Sequence, residues 1–404
     1  MNPAYDFAAP FQDPKGSAIR ELFKYLSQPG MISFAGGYPS PALFDTAGLN
    51  AAMVAVQSAS AADLLQYGST EGRPQLRAAL SALLARRGIA AAPEQMLVTS
   101  GSQQGFDMLL RTLIEPGDTA IMTRPVYSAA AQGLRLAGAR VVGVATDGAG
   151  IDFDELESHL AAGKPHPKFF YCVPTFANPS GDTMPLAQRQ RLLELAVRHR
   201  LLIVEDDPYG QLRFSGEPLP TLFTLAQDMP GASDWVVHLS SLSKIVAPGL
   251  RIGMMLAPPE VLKRCVMAKQ ISDLCTSPWM QMVAEHYLNA GALERHLHVI
   301  VDAYRKRCDT LVAALREELA EAFDFSVPQG GMFIWGQWKH GVDATRVLEH
   351  AIKANVMYVP GMSFYTDRAN PSALRLSFAM PTVDEIGEGV RRLRRAYESY
   401  MGAG

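Results

Sequence analysis

Cysteine is scarce in this 404-residue chain: Cys172, Cys265, Cys275 and Cys308 are the whole set, and no two form a C-x-x-C pair. That spacing excludes a disulfide framework and a zinc knuckle, and it suits reduced, buried thiols. A dominant charge sign is also missing. Lys plus Arg number 37 against 40 Asp plus Glu, so there is neither a basic surplus to hold a nucleic acid nor an acidic tail. No apolar run reaches the length of a membrane span, and the opening MNPAYDFAAPFQDPKG has no basic segment leading into an apolar one. The expectation is a soluble, cytoplasmic protein with no nucleic-acid or membrane partner. Histidines offer no metal centre: His296 and His298 lie two apart, hence on different sides of a helix, and H-E-x-x-H is absent. His238 sits in an apolar run and reads as a core residue.

What is present is apolar content of 48%, enough for a large core, in a length that suggests two domains or one large domain with an appendage. Short β-branched runs alternate with helical patterns. Strands are expected at 95–100, 119–123, 141–145, 168–173, 201–206, 235–240 and 250–256, with helices at 48–60, 73–87, 103–114, 127–137, 152–161 and 186–199. Such alternation gives an α/β sandwich, a mostly parallel sheet covered on both faces. Past 280 the pattern becomes a long helix at 292–320, short strands near 323–327, 332–336 and 374–378, a helix near 343–354 and a closing helix from 382, a smaller α+β unit. The domain division expected is 48–286 for the large unit, with 1–47 joining 287–404 in the small one. The basic cluster at 391–395 reads as a solvated helix face.

In an open parallel sheet the ligand lies beyond the carboxyl ends of the strands. Four of those ends are polar here: TSGSQQ, PTFANPSG, EDDPYG and SSLSK. The turn at Gly101 and Ser102 opens a helix, and with Ser241, Ser243 and Arg251 it makes an anion cradle suited to a phosphate. Lys244 could add charge to that cradle, yet G-x-x-x-x-G-K-[ST] and G-x-G-x-x-G are both absent. A lysine beside a phosphate, with an acid at a neighbouring strand end, is the layout for pyridoxal phosphate.

The chain resembles the fold-type I, pyridoxal-phosphate-dependent aminotransferases of class I/II, in the branch that includes 2-aminoadipate, kynurenine, aromatic and branched-chain aminotransferases. The resemblance runs through ISFAGGYPSPALF at 32–44, QYGSTEGRPQLR at 66–77, LVTSGSQQGFDMLLR at 97–111, RPVY at 124–127, PTFANPSG at 174–181, VEDDPYGQLRF at 204–214, SLSKIVAPGLRIG at 241–253, GGMFIW at 330–335 and LRLSFA at 374–379. It implies a large α/β/α cofactor domain with a smaller α+β domain and a role for each matching residue. Lys244 would hold the cofactor as an imine and then carry the proton. The resemblance places Asp206 on the pyridine nitrogen, and D-x-x-Y with Tyr209 prefers it to its neighbour Asp207. Tyr209 and Asn178 would meet the ring oxygen and Tyr127 would stack on the ring. Ser102, Gln103, Ser241, Ser243 and Arg251 would hold the phosphate. Tyr67 would reach the site of a second subunit, which implies a homodimer with shared sites. Arg375 and Gly37 would take the substrate α-carboxylate, while Tyr38, Arg20 and Phe333 would border its side chain.

The reaction implied moves the amino group of an amino acid to a 2-oxo acid in a ping-pong cycle. A C–S lyase using the same Lys244 and Asp206 is the alternative. A regulatory domain behind a DNA-binding unit is less expected, with about 30 residues ahead of the AGG turn.

Overall fold

The computed structural model describes residues 5–12, 16, 21–147, 150–161 and 166–402. Strands follow in chain order as β1 (Ile32–Ser33), β2 (Met96–Thr99), β3 (Thr119–Arg124), β4 (Arg140–Asp147), β5 (Gly150–Ile151), β6 (Phe169–Cys172), β7 (Leu202–Asp206), β8 (Val236–Ser241), β9 (Gly253–Leu256), β10 (Phe323–Phe325), β11 (Phe333–Trp338), β12 (Val356–Met357), β13 (Val359–Pro360) and β14 (Ala373–Ser377). Every residue of β2, β6, β7, β8 and β9 is buried. A sheet covered on both faces produces such unbroken apolar runs.

The large sheet has the order β2-β9-β8-β7-β6-β3-β4-β5. From β8 through β7, β6 and β3 to β4 all neighbours are parallel. The strand β9 runs antiparallel to both β2 and β8. It follows that the carboxyl ends of β2, β3, β6, β7 and β8 and the amino end of β9 all meet along one edge. The expected strand at 250–256 is therefore shorter than its apolar run and reversed in direction. Pro248–Leu250 form a 3-10 turn and Arg251 is left-handed at φ 54°, which turns the chain back before β9 begins.

The smaller unit holds an antiparallel sheet, β10-β11-β14-β13, with the helices Ala292–Leu319, Ala344–Lys353 and Val383–Met401. Strand β1 pairs in parallel with β12, so the early segment joins the late one.

The expected helix at 48–60 is instead Thr46–Val56 followed by a separate short helix, Ala61–Leu65, capped by the Ser60 side chain. The helices Leu222–Asp228, Pro259–Ser272 and Pro278–Asn289 were not legible in the apolar pattern. In Pro259–Ser272 that pattern is inverted: Lys269 is fully buried, whereas Met267 and Ile271 are exposed. Among the described residues no helix is long and apolar enough to cross a membrane.

One buried cation ties the layers together. Arg189, on the helix Leu186–His199, is inaccessible to solvent and donates to the carbonyls of Met184, Pro220 and Pro174 and to Thr175 Oγ1. Burial pushes its pKa down, against the attraction of Glu205 and Asp207. Arg189→Met leaves those acceptors without donors, and each unsatisfied buried group is expensive. Chemical denaturation should show a loss of roughly 2–4 kcal/mol. A variant as stable as the parent would contradict this account.

Candidate active site

Asp206 is the last residue of β7, almost wholly buried, and it shows how the site is built. Its Oδ2 accepts the Tyr171 hydroxyl at 2.7 Å, while Oδ1 is buried with no hydrogen-bond partner. Burial pushes the carboxyl up to about 6, with the Tyr171 bond acting in the opposite direction. Its neighbour Asp207 is engaged elsewhere. Asp207 Oδ2 lies 2.5 Å from Arg87 Nη2, and Oδ1 accepts the Gly210 N–H at 3.0 Å. Burial alone would raise Asp207, yet the Arg87 guanidinium holds it below the usual carboxylate range. Of the two acids, only Asp206 keeps an acceptor open. Glu205 is a cap and is buried rather than solvated: it accepts the Leu222 and Phe223 N–H groups and lies 2.9 Å from His238 Nδ1.

Lys244 ends a one-turn 3-10 helix, Leu242–Lys244, that follows β8. Its Nζ donates to the Gly37 carbonyl at 3.0 Å. Burial, reinforced by the cations Arg375 and Arg251, brings its pKa down to about 8. A lysine so placed spends far more time as the neutral, nucleophilic amine than an ordinary one.

The cradle expected from sequence is assembled at the same sheet edge. Gly101, with φ at 89°, precedes the helix Ser102–Leu113, whose N-terminus carries no side-chain cap. Arg251 donates Nη2 to the Ser100 carbonyl at 2.6 Å, so its guanidinium lies over that turn. A Cβ on Gly101 would come within 2.6 Å of Arg251 Nη2, and one on Gly253 within 2.6 Å of the Ser102 nitrogen. Only glycine fits at either position. Ser241 Oγ accepts the Ser243 N–H at 3.1 Å and bonds Ser243 Oγ at 2.8 Å. Gln103 is exposed at its side chain and lies on the first turn of that helix.

On the side of the smaller unit, Arg375 extends from β14 between two rings, with its guanidinium carbon 4.3 Å from the Phe333 centroid and 4.8 Å from that of Phe364. Nη1 donates to Asn178 Oδ1 at 2.8 Å, Nη2 to the Ala35 carbonyl at 2.7 Å, and Nε is buried without a partner. Burial lowers this arginine to about 10. Phe333 also meets Tyr209 edge-on at 5.7 Å and would lie 3.1 Å from a Cβ on Gly37. The Tyr209 phenol is pushed up by burial and by Tyr127 nearby, with Arg375 and Asn178 opposing.

Lys244, Asp206, Tyr209, Asn178, Arg375 and Gly37 are thus brought together, with the Ser241, Ser243, Arg251, Ser102 and Gln103 cradle beside them. Tyr127 is half-buried ahead of the helix Ser128–Leu136. Tyr38 is half exposed next to Gly37. Tyr67 is 76% exposed. Arg20 lies outside the described residues. Sequence reasoning missed Tyr171 and Phe364. The first is one aromatic in a run of three, and the second lies in a 3-10 turn at Gly361–Phe364 with no motif of its own. Among the described residues no group of His, Cys, Asp and Glu could hold a metal.

These residues fit pyridoxal phosphate. Asp206 Oδ1 is an anionic acceptor awaiting an N–H, the Gly101 turn and Arg251 form an anion seat, and Lys244 supplies an amine. Fold and site together define a fold-type I pyridoxal-phosphate enzyme. The chain belongs to the aminotransferase class I and II family, whose model matches residues 41–393. It is 37% identical to aromatic-amino-acid aminotransferase 1 of Thermococcus litoralis, over 99% of this chain and 96% of that one. Its structure is similar to the α-aminoadipate aminotransferase LysN of Thermus thermophilus, solved with N-(5'-phosphopyridoxyl)-L-leucine (TM-score 0.90, 35% identity, 98% of each chain). It is also similar to kynurenine aminotransferase of Pyrococcus horikoshii solved with PMP (TM-score 0.91, 37% identity, 97% of each chain). The protein is a pyridoxal-phosphate-dependent transaminase.

The adjacent acids give a test with opposite signs. In the cofactor-free chain Asp206 has a folded pKa of about 6 against 3.8 for the free group, so the folded state binds the extra proton between those values. Stability contributed by this group falls as pH rises from 3.8 to 6 and stays low above. Asp206→Asn should therefore stabilise the cofactor-free protein by about 3 kcal/mol above pH 6, the gain vanishing toward pH 4. Asp207→Asn should destabilise it by about 3 kcal/mol at pH 7, because Arg87 loses its partner. Urea titrations at both pH values decide; equal effects of the two variants would refute the division of roles.

Proposed function

We propose that this transaminase takes the amino group from an aminoadipate-type, aromatic or branched-chain L-amino acid and delivers it to a 2-oxo acid such as 2-oxoglutarate, in two half-reactions at one site. The observation that carries the reading is the open Oδ1 of Asp206, a buried anionic acceptor left free while Asp207 is paired. When bound, pyridoxal phosphate supplies an aldehyde that condenses with amines and a ring that withdraws electrons from the substrate α-carbon. In this reading Asp206 Oδ1 accepts from the ring nitrogen and keeps it protonated. Tyr209 and Asn178 meet the ring oxygen, and Tyr127 covers one face of the ring. The Ser102 and Gln103 N–H groups, the Ser241 and Ser243 hydroxyls and Arg251 hold the phosphate.

Lys244 holds the resting cofactor and, once displaced by substrate, takes the α-carbon proton at Nζ. Its lowered pKa suits that task. Arg375, packed against Phe333 and Phe364, presents its planar fork to the α-carboxylate, with Gly37 alongside. The rings of Phe333, Phe364 and Tyr38 favour an apolar or aromatic side chain, and Arg20 is assigned to a second carboxylate.

The molecule is read as a homodimer. Tyr67, with Leu65, Ile271 and Trp279, is a large apolar side chain left exposed on one subunit, and Tyr67 is assigned to the partner's phosphate. The large unit is taken as 48–286 and the small one as 1–47 with 287–404, a junction that falls within the helix Pro278–Asn289. The cysteines are free and three of them buried, which suits a reducing cytoplasm.

Mixing the cofactor-loaded enzyme with single amino acids, and following loss of its yellow absorbance, tests the substrate class. Aminoadipate, aromatic and branched-chain amino acids should react at least about tenfold faster than other amino acids, one turnover per site, until a 2-oxo acid is added. Steady release of pyruvate and ammonia from a cysteine conjugate would overturn transfer in favour of elimination. Lys244→Ala should abolish turnover. An equimolar, re-equilibrated mixture of Lys244→Ala and Tyr67→Ala, in which half the dimers are mixed, should recover roughly a quarter of the wild-type rate if sites are shared between subunits, and no more than the mean of the two parent variants if they are not.

A further inference from the structure

Tyr171 occupies a position where a phenylalanine would pack as well. It lies in the aromatic run of β6, fully buried, with its ring edge-on to Phe106 at 5.1 Å. A buried hydroxyl is unfavourable unless it is hydrogen-bonded. Register supplies the partner. Tyr171 pairs with Val204 of the parallel strand β7, and Asp206, two residues on, lies on the same face of the sheet. The phenol donates its one proton to Asp206 Oδ2 at 2.7 Å, the only side-chain hydrogen bond to this carboxylate among the described residues.

We infer that Tyr171 is a positioning residue for Asp206: its hydroxyl fixes which carboxylate oxygen remains open to the cofactor and keeps that buried acid ionised at working pH. This rests on the assignment of Asp206 to the ring nitrogen. The groups facing the acid divide clearly. Burial and the negative charge of Asp207 favour its protonated form, while Tyr171, His238 and Lys244 favour the anion. Tyr209, Glu205 and Cys172 stand nearby, but Glu205 is held by His238 and two backbone N–H groups, and burial keeps the Tyr209 phenol and the Cys172 thiol protonated. Asp207 is held by Arg87. Tyr171 is thus the contact that can be removed without uncoupling another pair. The Phe106 contact holds the ring in place; the hydroxyl carries the electrostatic effect.

The test is binding of pyridoxamine phosphate, which needs no covalent link to Lys244, to the full-length cofactor-free protein between pH 5 and 8.5. A pyridinium ligand pairs with ionised Asp206, so affinity should fall on the acid side as that group protonates. In Tyr171→Phe the acid limb should move up by about one pH unit, with binding roughly tenfold weaker within the limb, the scale of one hydrogen bond to a charged group. Affinity for inorganic phosphate should be unchanged. Phe106→Leu, which disturbs the ring packing and keeps the hydroxyl, should lower stability and leave the limb in place. If Tyr171→Phe does not fold, Tyr171→3-fluorotyrosine keeps the shape with a stronger donor and should move the limb down. A limb at the wild-type pH in either Tyr171 variant overturns the inference. If Asp206→Ala binds pyridoxamine phosphate like the wild type throughout, the assignment of Asp206 itself fails.

Discussion

A carboxylate taken out of water with one oxygen satisfied and the other left open is the constraint around which this molecule is arranged. Burying such a charge is unfavourable, and the upward shift of Asp206 to about 6 is the measure of it. The surrounding core supports the strain. Strands β6, β7 and β8 are buried along their whole length, Arg87 pairs with the neighbouring acid, and the one before it accepts two helix N–H groups and lies against His238. Three consecutive acids therefore have three different fates, and only the middle one retains an unmet demand for a donor. An open, destabilised acceptor of this kind is what a tightly held cofactor cation would relieve.

The second organising contact crosses between the two units. Arg375 belongs to the small antiparallel sheet, yet it donates to Asn178 from the loop after β6 and to the Ala35 carbonyl near the start of the chain. Three segments far apart in sequence are tied by one guanidinium, itself clamped between two aromatic rings. The small sheet is thereby joined directly to the loop that follows β6.

Much of this was legible in the sequence, for identifiable reasons. Short β-branched runs between amphipathic helices reported a covered parallel sheet, and the polar residues that follow those runs reported the edge where a ligand sits. What stayed hidden was hidden physically. The helix Pro259–Ser272 buries a lysine and exposes an isoleucine, so its pattern points the wrong way. The reversal of β9 depends on a 3-10 turn and a left-handed arginine that no periodicity encodes. The choice between Asp206 and Asp207 rested on a D-x-x-Y spacing, whereas the ion pair that removes Asp207 comes from Arg87, 120 residues away.

By itself the sequence determined the fold class, the cofactor and the set of side chains at the strand ends, because local patterning and ordered motifs are properties of neighbours along the chain. Tertiary structure alone decided which oxygen of which acid stays open, which phenol holds the other, and how far Lys244 is driven toward its neutral form. Those outcomes depend on burial and on charges brought together across the sheet, and such distances exist only once the chain has folded.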